Sequence, residues 1–515
     1  MKKKVLLSLL LVTILVLGYC CFVQADGESK KSGLFSYQLK GNGTAVITGF
    51  DWKANGTNDI YVPRMIDGYT VTEIGPYAFS SNDTKTSTSN PVGTESVVIL
   101  PDTITVLGEK AFFCTNITSI SIPASVQFID AGAFAGCQNI SQFALDSNNS
   151  VYATIDGVLY NKVKKELVAV PYAKYNSSKQ FKIPNGIVSI GPYAFYDIDF
   201  LRPTDAAISS VSFPDSLISI GNYAFAFSSL YAEEPCPTGY RTKTFSLNKV
   251  KSIGDYAFWG CTSMLFSWEE VETIGDYAFA DSRFEIPFTE DHILSLPSSL
   301  ISIGKGSFSN CRASSLYMGS DSKFAVLDLQ KTKIVEIPDE AFADFGLDYK
   351  PDKEHPRREI KLPSSLEYIG KNAFQYVSLD YRETFRPAYI TLPSKLKEID
   401  EYAFDQAGLI ISMKNAKSLE KIGDYAFHWA CFFLEDNEIL VLPENVKEIG
   451  EEAFNGQAIS ALQIPDSTTS IGKNVCDRSK TKIVANSGSY AALYASENGF
   501  PFEAIGGEDT SWLND

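Results

Sequence analysis

IGDYAF stands at residues 253–258, again at 274–279 and again at 422–427, and looser forms of the phrase run from Ile74 to Ile471. Aligned on the aromatic residue, the phrase puts Phe79, Phe112, Phe134, Phe195, Phe225, Phe258, Phe279, Phe308, Phe342, Phe374, Phe404, Phe427 and Phe454 in one column, and Val475 of IGKNVC reads as a worn further member. The shortest spacings are 21, 22 and 23 residues; the others, 27 to 34 with one of 61, read as that unit plus an insertion. A unit this short cannot bury its own apolar side and must stack on its neighbours, and its length falls in the leucine-rich-repeat range.

One unit reads apolar-x-apolar-Pro, x-x-apolar-x-x-Ile-Gly, x-x-Ala-Phe-x-x-Cys, followed by a variable stretch. Val98 and Leu100 before Pro101, Ile120 and Ile122 before Pro123, and Leu462 and Ile464 before Pro465 alternate with period two, which points each pair inward and ends each strand at a residue without an N–H. The Ile of Ile-Gly returns to the core, the Gly is expected to allow a turn that a Cβ would obstruct, and Ala-Phe pairs a small residue with a large one. The predicted fold is a repeat solenoid with a parallel β-sheet of about 14 coils, roughly 65 Å long at a parallel-strand spacing of about 4.8 Å.

The phrase is similar to the unit of the BspA-like leucine-rich repeat family, over residues 71–484. GTAVITGF and YVPRMIDGYTVTEIG, residues 43–75, resemble that family's opening strands; GSYAALYASENGFPFEAI, residues 488–505, resembles its closing cap; YATIDGVLYNKVKKELVAVP resembles a hairpin it inserts between repeats. The expected organisation is therefore a signal peptide at 1–25, a β cap at 26–70, the solenoid at 71–484 with the hairpin near 145–175, a helix-and-strand cap at 485–506 and a tail at 507–515. In that cap Ser487 or Ser489 is expected to start a helix whose Tyr490, Leu493 and Tyr494 share one face, with Asn498-Gly499 closing it. The resemblance implies a secreted or surface protein that binds or adheres to other macromolecules.

Lys2, Lys3 and Lys4 precede an apolar run from Val5 to Leu17, and Val23-Gln24-Ala25 offers small residues for cleavage, so the start reads as a secretory signal too short to span a bilayer. Without those lysines the chain holds 42 basic and 62 acidic residues, a charge near −20 that excludes a phosphate-backbone reader and suits a soluble extracellular protein.

The cysteines do not form a disulfide framework: Cys114, Cys137, Cys261, Cys311 and Cys431 closely follow ladder phenylalanines and read as small buried hydrophobes in a column, with Cys236 apart in a loop. His292, His355 and His428 fall in separate repeats, so neither a metal cluster nor a Ser/His/Asp set is expected. Glu269, Glu270 and Glu272 read as a solvated turn face rather than a glycosidase pair. No phosphate loop or dinucleotide fingerprint is present, and no cofactor is expected.

The residues between the inward strand pairs, Ile99, Ser121, Lys182, Ser212, Ser295, Lys361, Thr391, Val441 and Gln463, form no aromatic platform, so the sheet reads as scaffold. Variation is concentrated after Ala-Phe, where insertions share one phase and must leave along one edge. The segments at 344–359 and 375–389 interleave aromatic and cationic residues, and the expected ligand surface is Tyr349, Tyr376, Tyr381, Arg382, Phe385, Arg386 and Tyr389. Seven N-x-S/T sites, Asn42, Asn55, Asn82, Asn116, Asn139, Asn148 and Asn176, lie in the first third. The reading is a non-catalytic binding protein for an extracellular protein or glycan, with two rivals: a carbohydrate-active enzyme with acids in the insertions, and a purely structural surface component.

Overall fold

A computed structural model describes residues 28–56, 59–80, 96–173, 181–198, 211–228, 245–247, 249–261, 266–285, 293–314, 326–347, 358–377, 388–432, 439–456 and 459–505. The signal segment, the tail, Cys236, His292, His355, Tyr349, Tyr381, Arg382, Phe385 and Arg386 lie outside these residues. The chain folds as a leucine-rich-repeat solenoid with mostly parallel strands and few helices. It divides into two compact units, residues 1–163 with 167–174, and residues 164–166 with 175–515.

Within a unit, neighbouring coils are joined through three kinds of backbone segment. The apolar-x-apolar strand is one: Ala388–Thr391 pairs in parallel with Leu409–Ser412, setting buried Ile390 beside buried Ile411. A two-residue strand ending in the Ile is another: Glu398–Ile399 pairs with Lys421–Ile422. The third is the turn that carries Ala-Phe, where Phe404 N–H donates to the Ala426 carbonyl at 2.8 Å. Alternation, Pro termination and inward Ile therefore do what their chemistry dictates.

In the first unit, strands Lys30–Ser32, Phe35–Leu39 and Thr44–Phe50 pair antiparallel, and the last of them pairs in parallel with Tyr69–Ile74. Phe79, Phe112 and Phe134 stack at 4.8 and 5.8 Å. The front of that stack is closed by Phe50, 5.0 Å from Phe79, and by Trp52, whose indole N–H donates to the Phe79 carbonyl at 2.9 Å. Tyr152–Ile155 and Val158–Asn161 form an antiparallel hairpin. Asn55 is buried here, which leaves its N-x-S/T amide a poor acceptor for a glycan.

In the second unit, Phe195, Phe225, Phe258, Phe279, Phe308, Phe342, Phe374, Phe404, Phe427 and Phe454 stack with centroids 4.6–5.5 Å apart and planes within 15°. Beyond Phe454 the repeat register continues unbroken, and the expected placing of Val475 in the Phe column is off by one: Phe454 N–H donates to the Val475 carbonyl, so Val475 takes the Ala place and Cys476 the Phe place. The closing helix, Tyr490–Asn498, is capped by the Ser489 side chain, which accepts from Ala492 N–H, and ends at Gly499 in the left-handed conformation with φ 69°. It buries Ala491, Tyr494 and Ala495, while Tyr490 and Leu493 are exposed, contrary to the face expected from sequence. Two alanines let the helix axis approach the last strands more closely than Leu493 would allow, and Tyr494 is anchored there by donating to the Gly472 carbonyl.

The Ile-Gly glycine has a different purpose from the one expected. At Gly304 an added Cβ would stand 2.4 Å from the Asp276 amide nitrogen and 2.5 Å from the Gly275 carbonyl carbon, so the glycine permits coil-on-coil backbone contact rather than a special turn. The left-handed residues lie instead two places either side of the Phe: Tyr256 at φ 55° and Gly260 at φ 64° around Phe258, Tyr402 at 56° and Gln406 at 51° around Phe404. The cysteines also separate. Cys137, Cys261 and Cys311 are buried three places after their Phe, whereas Cys114 is left-handed at two places after and Cys431 lies in a strand.

Candidate functional site

The Ala-Phe turns of the second unit present two aromatic clusters. In the first, Tyr193, Tyr223, Tyr256 and Tyr277 stack at 4.7, 4.6 and 5.1 Å, with Tyr196, Phe227 and Trp259 alongside. Near-parallel planes in the first two steps, 4° each, mean that these tyrosines spend their ring faces on one another and offer edges to solvent. Trp259 is held by a 2.9 Å hydrogen bond from its indole N–H to Asp281.

The second cluster gathers around Asp405, a carboxylate only 3% exposed. Its Oδ1 stands 2.7 Å from His428 Nδ1, and its Oδ2 accepts from Gln375 Nε2 at 2.9 Å and from Gln406 Nε2 at 3.3 Å. A carboxylate only accepts, so Nδ1 carries the imidazole proton and Nε2 is the ring's remaining polar atom. A buried charge is tolerable because donors from three coils meet it, and in return it fixes the orientation of three surface side chains. Backbone links in the turns set this spacing: Tyr376 N–H to the Asp405 carbonyl at 3.1 Å, Gln406 N–H to His428 at 2.7 Å, and Trp429 N–H to Asn455 at 3.0 Å.

Tyr376, Gln406 and Trp429 thus occupy one left-handed column on successive coils, followed by Gly456. Gly456 has no side chain, and the indole of Trp429 fills the space: an added Cβ would meet its Cγ, Cδ2 and Cε2 at 2.7–2.9 Å. One ring face therefore rests on the glycine while the residue remains 62% exposed. Tyr376 is 36% exposed, with its hydroxyl 3.5 Å from Gln406 Nε2.

Of the residues expected to bind, Tyr376 belongs to this cluster. Tyr389 does not: it lies in the strand Ala388–Thr391, on another segment of its coil. His428 and Trp429 were missed because the first was weighed only as a metal ligand or triad member, and the second was not singled out at all. The signal that could have found them is the two-residue offset from Phe, which puts Trp429 in the column of Tyr376.

Elsewhere the sequence candidates are partnered. Glu270 and Glu272 pair with Lys249 at 2.6 Å and Lys251 at 2.8 Å, lysines of the preceding coil, and the Lys249 hydrogen bond holds Glu270 below the usual carboxylate range. The base of the insertion 348–357 is tied by buried Arg358, whose Nη1 donates to the Leu347 carbonyl at 3.2 Å. On the strand face a groove of about 760 Å³ opens beside Met413, Val441, Leu442 and Gln463. Among the described residues no group of three His, Cys, Asp or Glu side chains is placed to hold a metal, and no helix is long and apolar enough to cross a membrane.

Solved structures similar to this chain include a leucine-rich repeat protein from Bacteroides ovatus, 19% identical, covering 92% of this chain and 99% of its own with a TM-score of 0.41. Another, from Eubacterium ventriosum, is 17% identical, with coverages of 79% and 97% and a TM-score of 0.35. A leucine-rich cell surface protein from Faecalibacterium prausnitzii is 16% identical, with coverages of 80% and 96% and a TM-score of 0.28. No curated protein matches the chain. The model of the BspA type leucine rich repeat region matches residues 66–162, 169–324, 236–348 and 353–483, well over half of the sequence. By that match, and by a coil whose Ile, Ala and Phe stack as the repeat demands, the chain belongs to the BspA-type leucine-rich repeat family.

Proposed function

We propose that this chain is a secreted or surface-displayed binding protein that holds an extracellular macromolecule without transforming it, on the turn face and insertion edge around residues 344–429. The observation that carries this reading is the cluster itself: an indole 62% exposed, in the same column as a partly exposed phenol, beside side chains oriented by a buried carboxylate. Exposed Trp and Tyr held rigid at low entropic cost are the groups that anchor interfaces. The segment 378–387, with Tyr381, Arg382, Phe385 and Arg386, follows Tyr376 and Val377 directly in sequence. Family membership and the lysine-led apolar start of the sequence support the extracellular setting.

The test is saturation binding of the chain without residues 1–25 to immobilised extracellular-matrix proteins and to whole cells, beside a variant lacking residues 378–387. Saturable binding that the deletion weakens about tenfold or more is expected. Absence of binding to every surface, or binding indifferent to the deletion, would refute the reading.

A further inference from the structure

We propose that Trp429, His428, Gln406 and Tyr376 form a subsite for a neutral glycan, with a sugar ring packed on the open face of Trp429. This inference rests on the binding-protein reading above and names the ligand class.

Three observations carry it. The first is the geometry of the indole. The tyrosines of the other cluster are stacked face to face and expose edges, whereas Trp429 lies on Gly456 by one face and leaves a broad apolar surface in solvent. A flat apolar face is what the C–H side of a pyranose ring packs against, because both surfaces then leave water without losing a hydrogen bond.

The second is the chemistry at its rim. A sugar ring carries hydroxyls that both donate and accept, and the rim holds the imidazole of His428, the amide of Gln406 and the phenol of Tyr376. Asp405 fixes His428 and both glutamines from beneath, so the hydrogen-bonding groups are ordered before a ligand arrives. A site meant for an apolar protein anchor gains nothing from such ordered polar groups.

The third is charge. The chain carries 62 acidic against 45 basic residues, and the carboxylate of Asp405 lies under the cluster. Trp429, Gln406 and Tyr376 bring no cation to the subsite and Asp405 lies beneath them, so a sulfate or carboxylate of the ligand would find no counter-charge there and the ligand class is neutral. Tyr376 to Trp429 spans two coil steps, roughly 10 Å at the parallel-strand spacing, which suits a short stretch of polysaccharide lying along the column.

The experiment titrates the full chain without residues 1–25 with cellohexaose, laminarihexaose, xylohexaose, mannohexaose, maltohexaose and chitohexaose, with heparin as an anionic probe. Calorimetry and tryptophan fluorescence are the readouts. Saturable binding to at least one neutral hexasaccharide is expected, weakened about tenfold or more in Trp429→Ala, less in Trp429→Phe, and unchanged in Trp259→Ala, which alters the other aromatic cluster. Because Trp429 is mostly solvent-exposed, Trp429→Ala should melt within a few degrees of the parent, and Gln406→Ala gives a second, independent loss. Failure of all six neutral probes, preferential binding of heparin, or undiminished affinity in Trp429→Ala would each overturn the proposal. Loss of matrix-protein binding in Trp429→Ala without any glycan binding would overturn the glycan class alone and leave the binding-protein reading standing.

Discussion

The single residue that best shows how coils communicate is the one three places after the ladder Phe. Cys137 donates its thiol to the Phe112 carbonyl of the preceding coil at 2.9 Å, Cys261 to Phe225 at 2.8 Å and Cys311 to Phe279 at 2.8 Å, while Ser282 makes the same bond to Phe258 at 2.6 Å. In these coils Cys and Ser are interchangeable as small donors, while Ile198, Phe345, Val377, Ala407 and Ala430 fill the same place in other coils with apolar side chains. Cys261→Ala is expected to cost about 1 to 3 kcal/mol by leaving a buried carbonyl short of a donor, whereas Cys261→Ser should stay within about 1 kcal/mol of the parent. Chemical denaturation of the two variants separates these outcomes, and equal losses would mean that packing volume, not the hydrogen bond, sets the column. The Asp of IGDYAF is explained at the same scale: Asp255 Oδ1 accepts from Asp276 N–H at 2.9 Å, and Asp276 Oδ1 from Lys305 N–H at 2.8 Å, so this carboxylate caps the turn of the next coil.

At the scale of the coil, the Phe stack is a continuous buried column, and Phe258 sits between Phe225 at 5.1 Å and Phe279 at 5.2 Å. Phe258→Ala should cost about 3 to 5 kcal/mol. Hydrogen exchange should show the loss concentrated in the coils of Phe225, Phe258 and Phe279, since repeat contacts are local; uniform acceleration across the second unit would contradict this. The coil itself was legible in the sequence because its determinants are side-chain types at fixed spacing: Pro101, the Ile before Gly, and Ala-Phe each act where they stand. The last coil was legible too, since IGKNVC aligns letter for letter with IGDYAF and sets Val475 under Ala and Cys476 under Phe; Val475 was misassigned to the Phe column because it is the bulkier apolar residue of the two, and the Phe454 hydrogen bond corrects this. The helix face was misread because Ala491 and Ala495 are weak signals in sequence yet allow the closest packing. The site was legible only in part. Tyr376 was visible as an aromatic near an insertion, but the hub that orders the site, Asp405, looks like one acid among many until coils bring Gln375, Gln406 and His428 onto it.

For the molecule as a whole, the buried thiols set an alkaline limit. Burial pushes Cys137 up to about 11 and Cys476 up to about 12, and raises Cys261 and Cys311 further, from the ordinary thiol value of 9.0. Since the folded values are raised, the unfolded chain sheds these protons first. The stability they contribute is whole below about pH 9 and is lost as pH climbs through 9 towards 11 and beyond. Cys137 alone accounts for about 3 kcal/mol in the first unit across that window. Melting temperature should hold level from pH 7 to 8.5 and then fall. The variant with Ser at 137, 261, 311 and 476 should fall less steeply, and an identical slope would place the alkaline sensitivity in the tyrosines instead. Within the second unit the turn amides all donate in one direction, Phe225 N–H to Ala257, Phe258 N–H to Ala278, Phe404 N–H to Ala426, so every coil offers the same donors to the next and the same acceptors to the one before. A duplicated stretch of gene encoding one whole coil would find matching partners on both sides wherever it landed inside the stack, which lets arrays of this kind lengthen or shorten between generations without redesign of their neighbours.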